Sequence, residues 1–444
     1  MKLTKMLGLS AALLLPAAGS LAFSSVAEAA TVSLYVDRTS SACSDSGPGT
    51  SATPYCTITK GVSRLAAGYA LFIGNGTYAE TIRPAVSGTA AAPISIGVWP
   101  GRSPVITGST YGASISGRSY VTLSGLTFSA TVAEGIYISG GDHITVTGNT
   151  VSGAGRPASG QTKPGISIRG TVSSVVSNNN SHHNNGTGII LSSGATGITV
   201  SGNNANFNAE GWRRAANGIN VTAPGNAVLR NITHDNEDSG IQFYSGGNNN
   251  LAALNVTYNN GDHGIDNLNV TGGRLISNTV YRNCTSGINV EGTSGNYQVM
   301  NNIAVDNAVY PAYKGIACAR RAGNIGIWDS APSSTTVDHN LVWLTKAGTM
   351  YTFGTKYTSL AAMQAATHQE AHGVQADPRF VSAASWNLQL LAGSAAIDRG
   401  HSGVSGAQST DIVGAPRVDD PAADNSQAEG PRRYDDLGAY ERQP

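Results

Sequence analysis

A glycine that returns about once every 23 residues, each time followed by an isoleucine, constrains this chain more than any other feature. Six lines carry it: GISIRG at 165, GIILSS at 188, GINVTA at 218, GIQFYS at 240, GIDNLN at 264 and GINVEG at 287. Their starts are 23, 30, 22, 24 and 23 residues apart. A repeat this short cannot bury an apolar face alone; it buries it against its neighbours, which makes a solenoid. Alternating Ile and Val between Gly and Asn reads as short strands and turns, with no length left for a helix. The expected fold class is all-β, a right-handed parallel β-helix with one coil per repeat.

Stacked coils turn equivalent positions into columns, spaced by the inter-strand distance of about 4.8 Å. In each glycine line the second and fourth residues point inward and the third and fifth outward. The third-position column reads Asn220, Gln242, Asp266, Asn289, and the fifth reads Thr222, Tyr244, Leu268, Glu291. Just before the glycines stand Glu237-Asp238-Ser239 and Asp262-His263. Ionisable groups are concentrated here as nowhere else in the chain. A second set of columns, Asn149, Asn179, Asn203, Asn231, Asn255 and Asn278, reads as a turn ladder whose amides satisfy backbone groups.

Composition sets outer limits. The chain has 444 residues, 55 of them Gly, with 12 % charged residues and zero formal net charge. That accommodates one large solenoid with an appendage, and the absence of basic excess argues against a nucleic-acid partner. Lys2 and Lys5, an apolar run from Met6 to Phe23 and Ala27-Glu28-Ala29 read as a secretory signal over residues 1–29. No later stretch has the length of a membrane span, so a secreted, extracellular monomer without a membrane partner is expected. Export suits the four cysteines, for which Cys43–Cys56 and Cys284–Cys318 are the simplest of three possible pairings.

Residues 30–112 read as an N-terminal cap and first coils, with a short helix over 57–67. Regular coils carrying the site span 113–345, and 346–444 form a C-terminal cap whose helix covers 358–372. Two coils are 30 residues long and hold the inserts GRPASGQTKP and NAEGWRRAAN. Inserts in a solenoid project from one face and often build a binding site. These supply Lys163, Trp212, Arg213 and Arg214, an aromatic with cations that suits an anionic sugar. With Gln242 and Asn289 they are the expected substrate contacts.

The run NGINVTAPGNAVLRNITHDNEDSGIQFY followed by NNGDHGIDNLNV resembles the central coils of polysaccharide lyase family nine. That resemblance implies a Ca²⁺-dependent β-helix enzyme similar to pectate lyases. The family's calcium coil has the pattern Asp-Asp-Gly-x-Asp, which carries over to Asp262 and Asp266, with Asp238 and Glu237 one coil earlier as further oxygen ligands. The family's catalytic Lys falls on Asn289, and no Lys occurs between Lys163 and Lys314. The base would then be His263, His234, Tyr244, Arg282 or Lys163. Elimination from a uronate, or the related C5-epimerisation, is the leading expectation. Hydrolysis by paired carboxylates (Asp266 with Glu291, or Asp238 with Asp262) is the alternative. A non-catalytic carbohydrate-binding β-helix is a third reading.

Overall fold

The computed structural model describes residues 32–155, 163–209, 214, 216–318 and 320–444. They form a parallel β-solenoid of about 11 turns. Among the described residues, two sheets have 12 strands and the third has 11. The first runs from Val32–Val36 to Thr336–Asp338, the second from Gly76–Tyr78 to Val374–Gln375. The third runs from Ala113–Ser116 to an antiparallel closing pair, Tyr351–Phe353 with Thr355–Tyr357. From Ile94 onward each regular coil contributes one strand to each sheet, and the first sheet already starts at Val32, well before the regular spacing of the sequence.

The glycine lines become the third sheet. Ile219, Ile241, Ile265 and Ile288 stack in register, and each is fully buried. Burying such a side chain contributes about 1.5–3 kcal/mol, and every coil repeats it. The glycine itself marks a close approach: a Cβ on Gly264 would lie 2.5 Å from the carbonyl oxygen of Gly287 and 2.7 Å from Asn283 Nδ2. Any side chain would push the coils apart.

Asparagines line two corners of the coil. At the corner between the first and second sheets, Asn149, Asn179, Asn203, Asn231, Asn255, Asn278, Asn302 and Asn340 form a ladder. Asn255 is typical: Nδ2 donates to Val228 O at 2.8 Å and to Asn278 Oδ1 at 3.0 Å, while Oδ1 accepts from the Asn231 backbone N–H and amide. The ladder ends on Glu370, whose carboxylate accepts from Asn340 and Tyr351. A second ladder from Asn184 to Asn324 occupies the corner between the second and third sheets.

Both expected helices exist but are shorter. Helix α1 spans Ile58–Ser63, N-capped by Thr57, and buries Ile58 and Val62 over the first coil. Helix α2 spans Leu360–Thr367, N-capped by Ser359, and ends where His368 turns left-handed at φ 56°. Helix α2 and the residues that follow it, Gln369 and Glu370, lie over the last coil. The remainder of the closing segment runs back along the barrel, where Leu388, Leu390, Ile397 and Leu437 pack on Val256, Tyr281, Ile303 and Leu341 of the second sheet. Both disulfides form as paired from the sequence, Cys43–Cys56 and Cys284–Cys318. Among the described residues no helix is long and apolar enough to cross a membrane. The signal-like residues 1–29 lie outside the described residues.

Candidate active site

The corner between the second and third sheets holds the ionisable cluster. Here the chain leaves the inner asparagine ladder and stacks turn residues coil on coil: Asp262 N–H donates to Asp238 O, and Thr285 N–H to Asp262 O. The next column brings Ser239, His263 and Ser286 into line. The third-sheet register then places Gln242, Asp266 and Asn289 side by side, with Glu291 beside Leu268.

Asp266 is held from both sides. Its Oδ2 accepts from Gln242 Nε2 at 2.8 Å and its Oδ1 from Asn289 Nδ2 at 2.7 Å. Asp262 Oδ1 accepts from the Thr285 hydroxyl at 2.6 Å. His263 lies beneath them, 1 % exposed. Its Nδ1 accepts from Ser286 N–H at 3.1 Å, which leaves the ring proton of the neutral form on Nε2. That Nε2 has no hydrogen-bond partner and sits 3.7 Å from Asp262 Oδ1 and 4.0 Å from Asp266 Oδ1.

Three arginines close over these carboxylates. Arg320 Nη2 donates to Asp262 Oδ2. Arg214 Nε stands 3.8 Å from the same oxygen, and its Nη2 donates to Ala317 O at 2.7 Å. Arg321 Nε meets Glu291 Oε2 at 2.7 Å, while its other nitrogens fork onto Asp329. Arg320 and Arg321 arrive on an excursion from the coil that the Cys284–Cys318 bridge ties back, one residue before Thr285.

Charge crowding divides the carboxyls. Burial, with Asp262, Asp266 and Glu237 nearby, pushes Asp238 up to about 8. Glu291 is raised by burial and Asp266, against the pull of His263, Arg321 and Arg320. For Asp262, burial acts upward but is outweighed by His263, the Thr285 hydrogen bond, Arg320 and Arg214, so it falls below the usual range.

Residues 35–324 match the family described as Pel9A-like, right-handed β-helix region. The chain belongs to the Pel9A-like β-helix family. Among solved structures it is similar to pectate lyase Pel9A, with a TM-score of 0.59 and 16 % identity over 94 % of this chain and 98 % of that one. It is also similar to XylC in complex with xylose, at TM-score 0.54 and 11 % identity over 79 % and 87 % of the two chains. Among sequences, the uncharacterized protein YwoF of Bacillus subtilis (strain 168) is 25 % identical, covering 78 % of this chain and 89 % of its own.

Within this Pel9A-like frame the expected site residues divide. Asp238, Asp262, His263, Asp266 and Glu291 share the corner, joined by Gln242, Arg214 and Glu237, whose Oε1 meets the Arg214 N–H. His263 is sealed beneath it and out of reach of a substrate. Asn289, named as a substrate contact, is fully buried and spends its amide on Asp266. His234, named as a base, lies instead on the outer face of the second sheet, bonded to Asp235 and stacked on Tyr258. Arg282 likewise packs over Tyr310, Tyr281 and Trp386. Tyr244 is 41 % exposed on the third-sheet face. Lys163 precedes the glycine line at 165, four coils before the line at 264, or about 19 Å along the axis. Trp212 and Arg213 lie outside the described residues. Sequence reasoning missed Arg320 and Arg321; the Cys284–Cys318 pairing beside Thr285 was the signal that could have found them.

The set Asp238, Asp262, Asp266 and Glu237 does not fit a resident calcium ion. Calcium takes six to eight oxygens, whereas the four oxygens of Asp262 and Asp266 are engaged by Thr285, Arg320, Gln242 and Asn289. The ligand atoms lying within 4.8 Å of one another belong to His263, Asp266 and Glu291, a set that includes a nitrogen. Guanidinium groups stand where a cation's charge would be needed.

Proposed function

We propose that this corner is the active site of a secreted carbohydrate-active enzyme acting on a uronate-containing polysaccharide by β-elimination. The observation that carries the reading is the trio Arg214, Arg320 and Arg321 over buried carboxylates, with side chains 21 %, 52 % and 32 % exposed. A planar guanidinium pairs with carboxylates through its fork; Arg321 already holds Asp329 that way, so Arg320, fixed by Asp262 beneath it and half exposed, is the one placed to receive the sugar carboxylate. Neutralising the sugar carboxylate acidifies the C–H beside it. Glu291, whose hold on a proton is strengthened by burial and Asp266, takes that proton as the C–C double bond forms and the C–O bond to the next sugar breaks. Asp238, which holds its proton up to about pH 8, is suited to pass one to the departing glycosidic oxygen. The likeness to a pectate lyase supports a polysaccharide substrate. Epimerisation shares the first step and differs only in returning the proton to the opposite face.

Hydrolysis is the second reading, favoured by the raised Asp238 and Glu291 beside a lowered Asp262. Incubation with a panel of acidic polysaccharides separates these chemistries. Ultraviolet absorbance of unsaturated uronate, together with new reducing ends, is the expected result. Reducing ends without absorbance would move the assignment to hydrolysis, and inverted stereochemistry alone to epimerisation. No change in any acidic glycan would remove the catalytic reading.

A further inference from the structure

A second cluster of titratable groups lies one to two coils further on, at the corner between the first and second sheets, apart from the acidic corner. Asp338 ends the last first-sheet strand, His339 follows it directly, and His372 comes after helix α2. His401 and Glu429 reach the same place from the closing segment, where their backbones form a bridge. Among the described residues, the ion-pair partners of Asp338 and Glu429 are all histidines.

Asp338 is oriented by its backbone surroundings. Its Oδ1 accepts from His339 N–H at 2.9 Å and His372 N–H at 2.8 Å, which turns Oδ2 toward the two imidazoles. His372 Nδ1 lies 2.9 Å from that oxygen and His339 Nδ1 3.4 Å from it. The two rings stack with centroids 4.4 Å apart. His339 is fully buried, and neither of its ring nitrogens has a hydrogen-bond partner. A buried, unsatisfied imidazole costs free energy unless something occupies its lone pair.

We propose that Asp338, His339 and His372 form a binding site for a divalent transition ion of borderline softness, Zn²⁺ above all, which fastens the closing segment to the last coil. Two imidazoles and a carboxylate are the ligand types zinc takes, at bonds of about 2.0–2.1 Å, which puts tetrahedral ligand atoms about 3.3 Å apart. The spacings of 2.9 and 3.4 Å need only a small adjustment to reach that value. The ion replaces the hydrogen now shared by His372 and Asp338, and the fourth position falls to water. Glu429 Oε1, 3.6 Å from His372 Nε2, supplies the outer carboxylate that orients a ligating histidine. The carboxylates of Asp338 and Glu429 together balance the charge of a divalent ion.

The test uses the full, untagged, disulfide-intact chain, stripped with a chelator and titrated with a zinc salt alone, by calorimetry and by melting. One equivalent should bind and raise Tm. His372→Ala, a partly exposed position whose loss leaves the coils intact, should weaken binding more than a hundredfold. Asp338→Asn gives an independent second variant with the same expected loss. Glu429→Gln should weaken it about 10- to 100-fold through orientation of His372. His263→Ala should retain the equivalent, since His263, Asp266 and Glu291 form a separate cluster. Absence of zinc binding by the native chain would overturn the proposal. So would binding that survives His372→Ala and Asp338→Asn, or binding lost in His263→Ala alone.

Discussion

Two corners of the same coil behave in opposite ways. At the corner between the first and second sheets, the same residue recurs from Asn149 to Asn340, and each amide makes the contacts its neighbours make. At the corner between the second and third sheets, an inner ladder is equally regular, but the residues outside it change at every coil. Asp238-Ser239 gives way to Asp262-His263 and then to Thr285-Ser286. The ladder at the first corner satisfies buried backbone groups with uncharged amides. The second gathers carboxylates that repel one another and recruits arginines from off the repeat to hold them. Regularity along the axis marks what stabilises this molecule, and departure from it marks where chemistry is concentrated.

The comparison predicts that damage at the two corners separates into lost turnover and lost stability. The largest effect is expected at the irregular corner. Arg320→Ala should reduce turnover on an acidic glycan by about 100-fold or more, as removal of a positioned charge does, while a side chain half exposed leaves Tm nearly unchanged. Initial rates and a melting curve on one preparation check both halves. At the regular corner, Asn255→Ala deprives the Asn231 N–H and amide, Val228 O and Asn278 Oδ1 of their partner. It should cost about 3 kcal/mol or more in chemical denaturation with turnover per folded molecule unaltered. A loss of turnover without a loss of stability there would break the comparison.

The smallest effect is a pH slope at the ladder's end. Burial pushes Glu370 up to about 8, against the hydrogen bonds from Asn340 and Tyr351. A carboxyl of about 4.3 in the unfolded chain therefore binds its proton more tightly when folded. Its contribution to stability is fully present below pH 4 and is lost as pH rises through about 8. Glu370→Gln keeps the neutral shape and should flatten that part of the Tm-versus-pH curve. An unchanged slope would place the responsible proton elsewhere.

The two corners also differ in how far the sequence reveals them. The ladder and the glycine columns were legible because one geometric demand repeats: a buried amide, and a backbone approach too close for a Cβ. Strand alternation likewise placed Asp266 beside Gln242 and Asn289. It could not say which outer face a residue joins, so His234 and Arg282 were drawn to the site although they decorate the second sheet. Nor could it separate a reachable side chain from a sealed one, as His263 and Asn289 show. Arg320 and Arg321 escaped because they sit on an excursion with no repeat to index them. The closing segment departs for the same reason: its apolar residues find the outer wall of the second sheet, a partner that local pattern does not identify.

The most direct test of the central claim, that arginines rather than calcium supply positive charge at the irregular corner, is the continuous ultraviolet assay on acidic polysaccharide with and without the calcium chelator EGTA, for the native chain and Arg320→Ala side by side. The account predicts absorbance that EGTA leaves unchanged and Arg320→Ala nearly abolishes. Absorbance that EGTA abolishes and Arg320→Ala retains would contradict it.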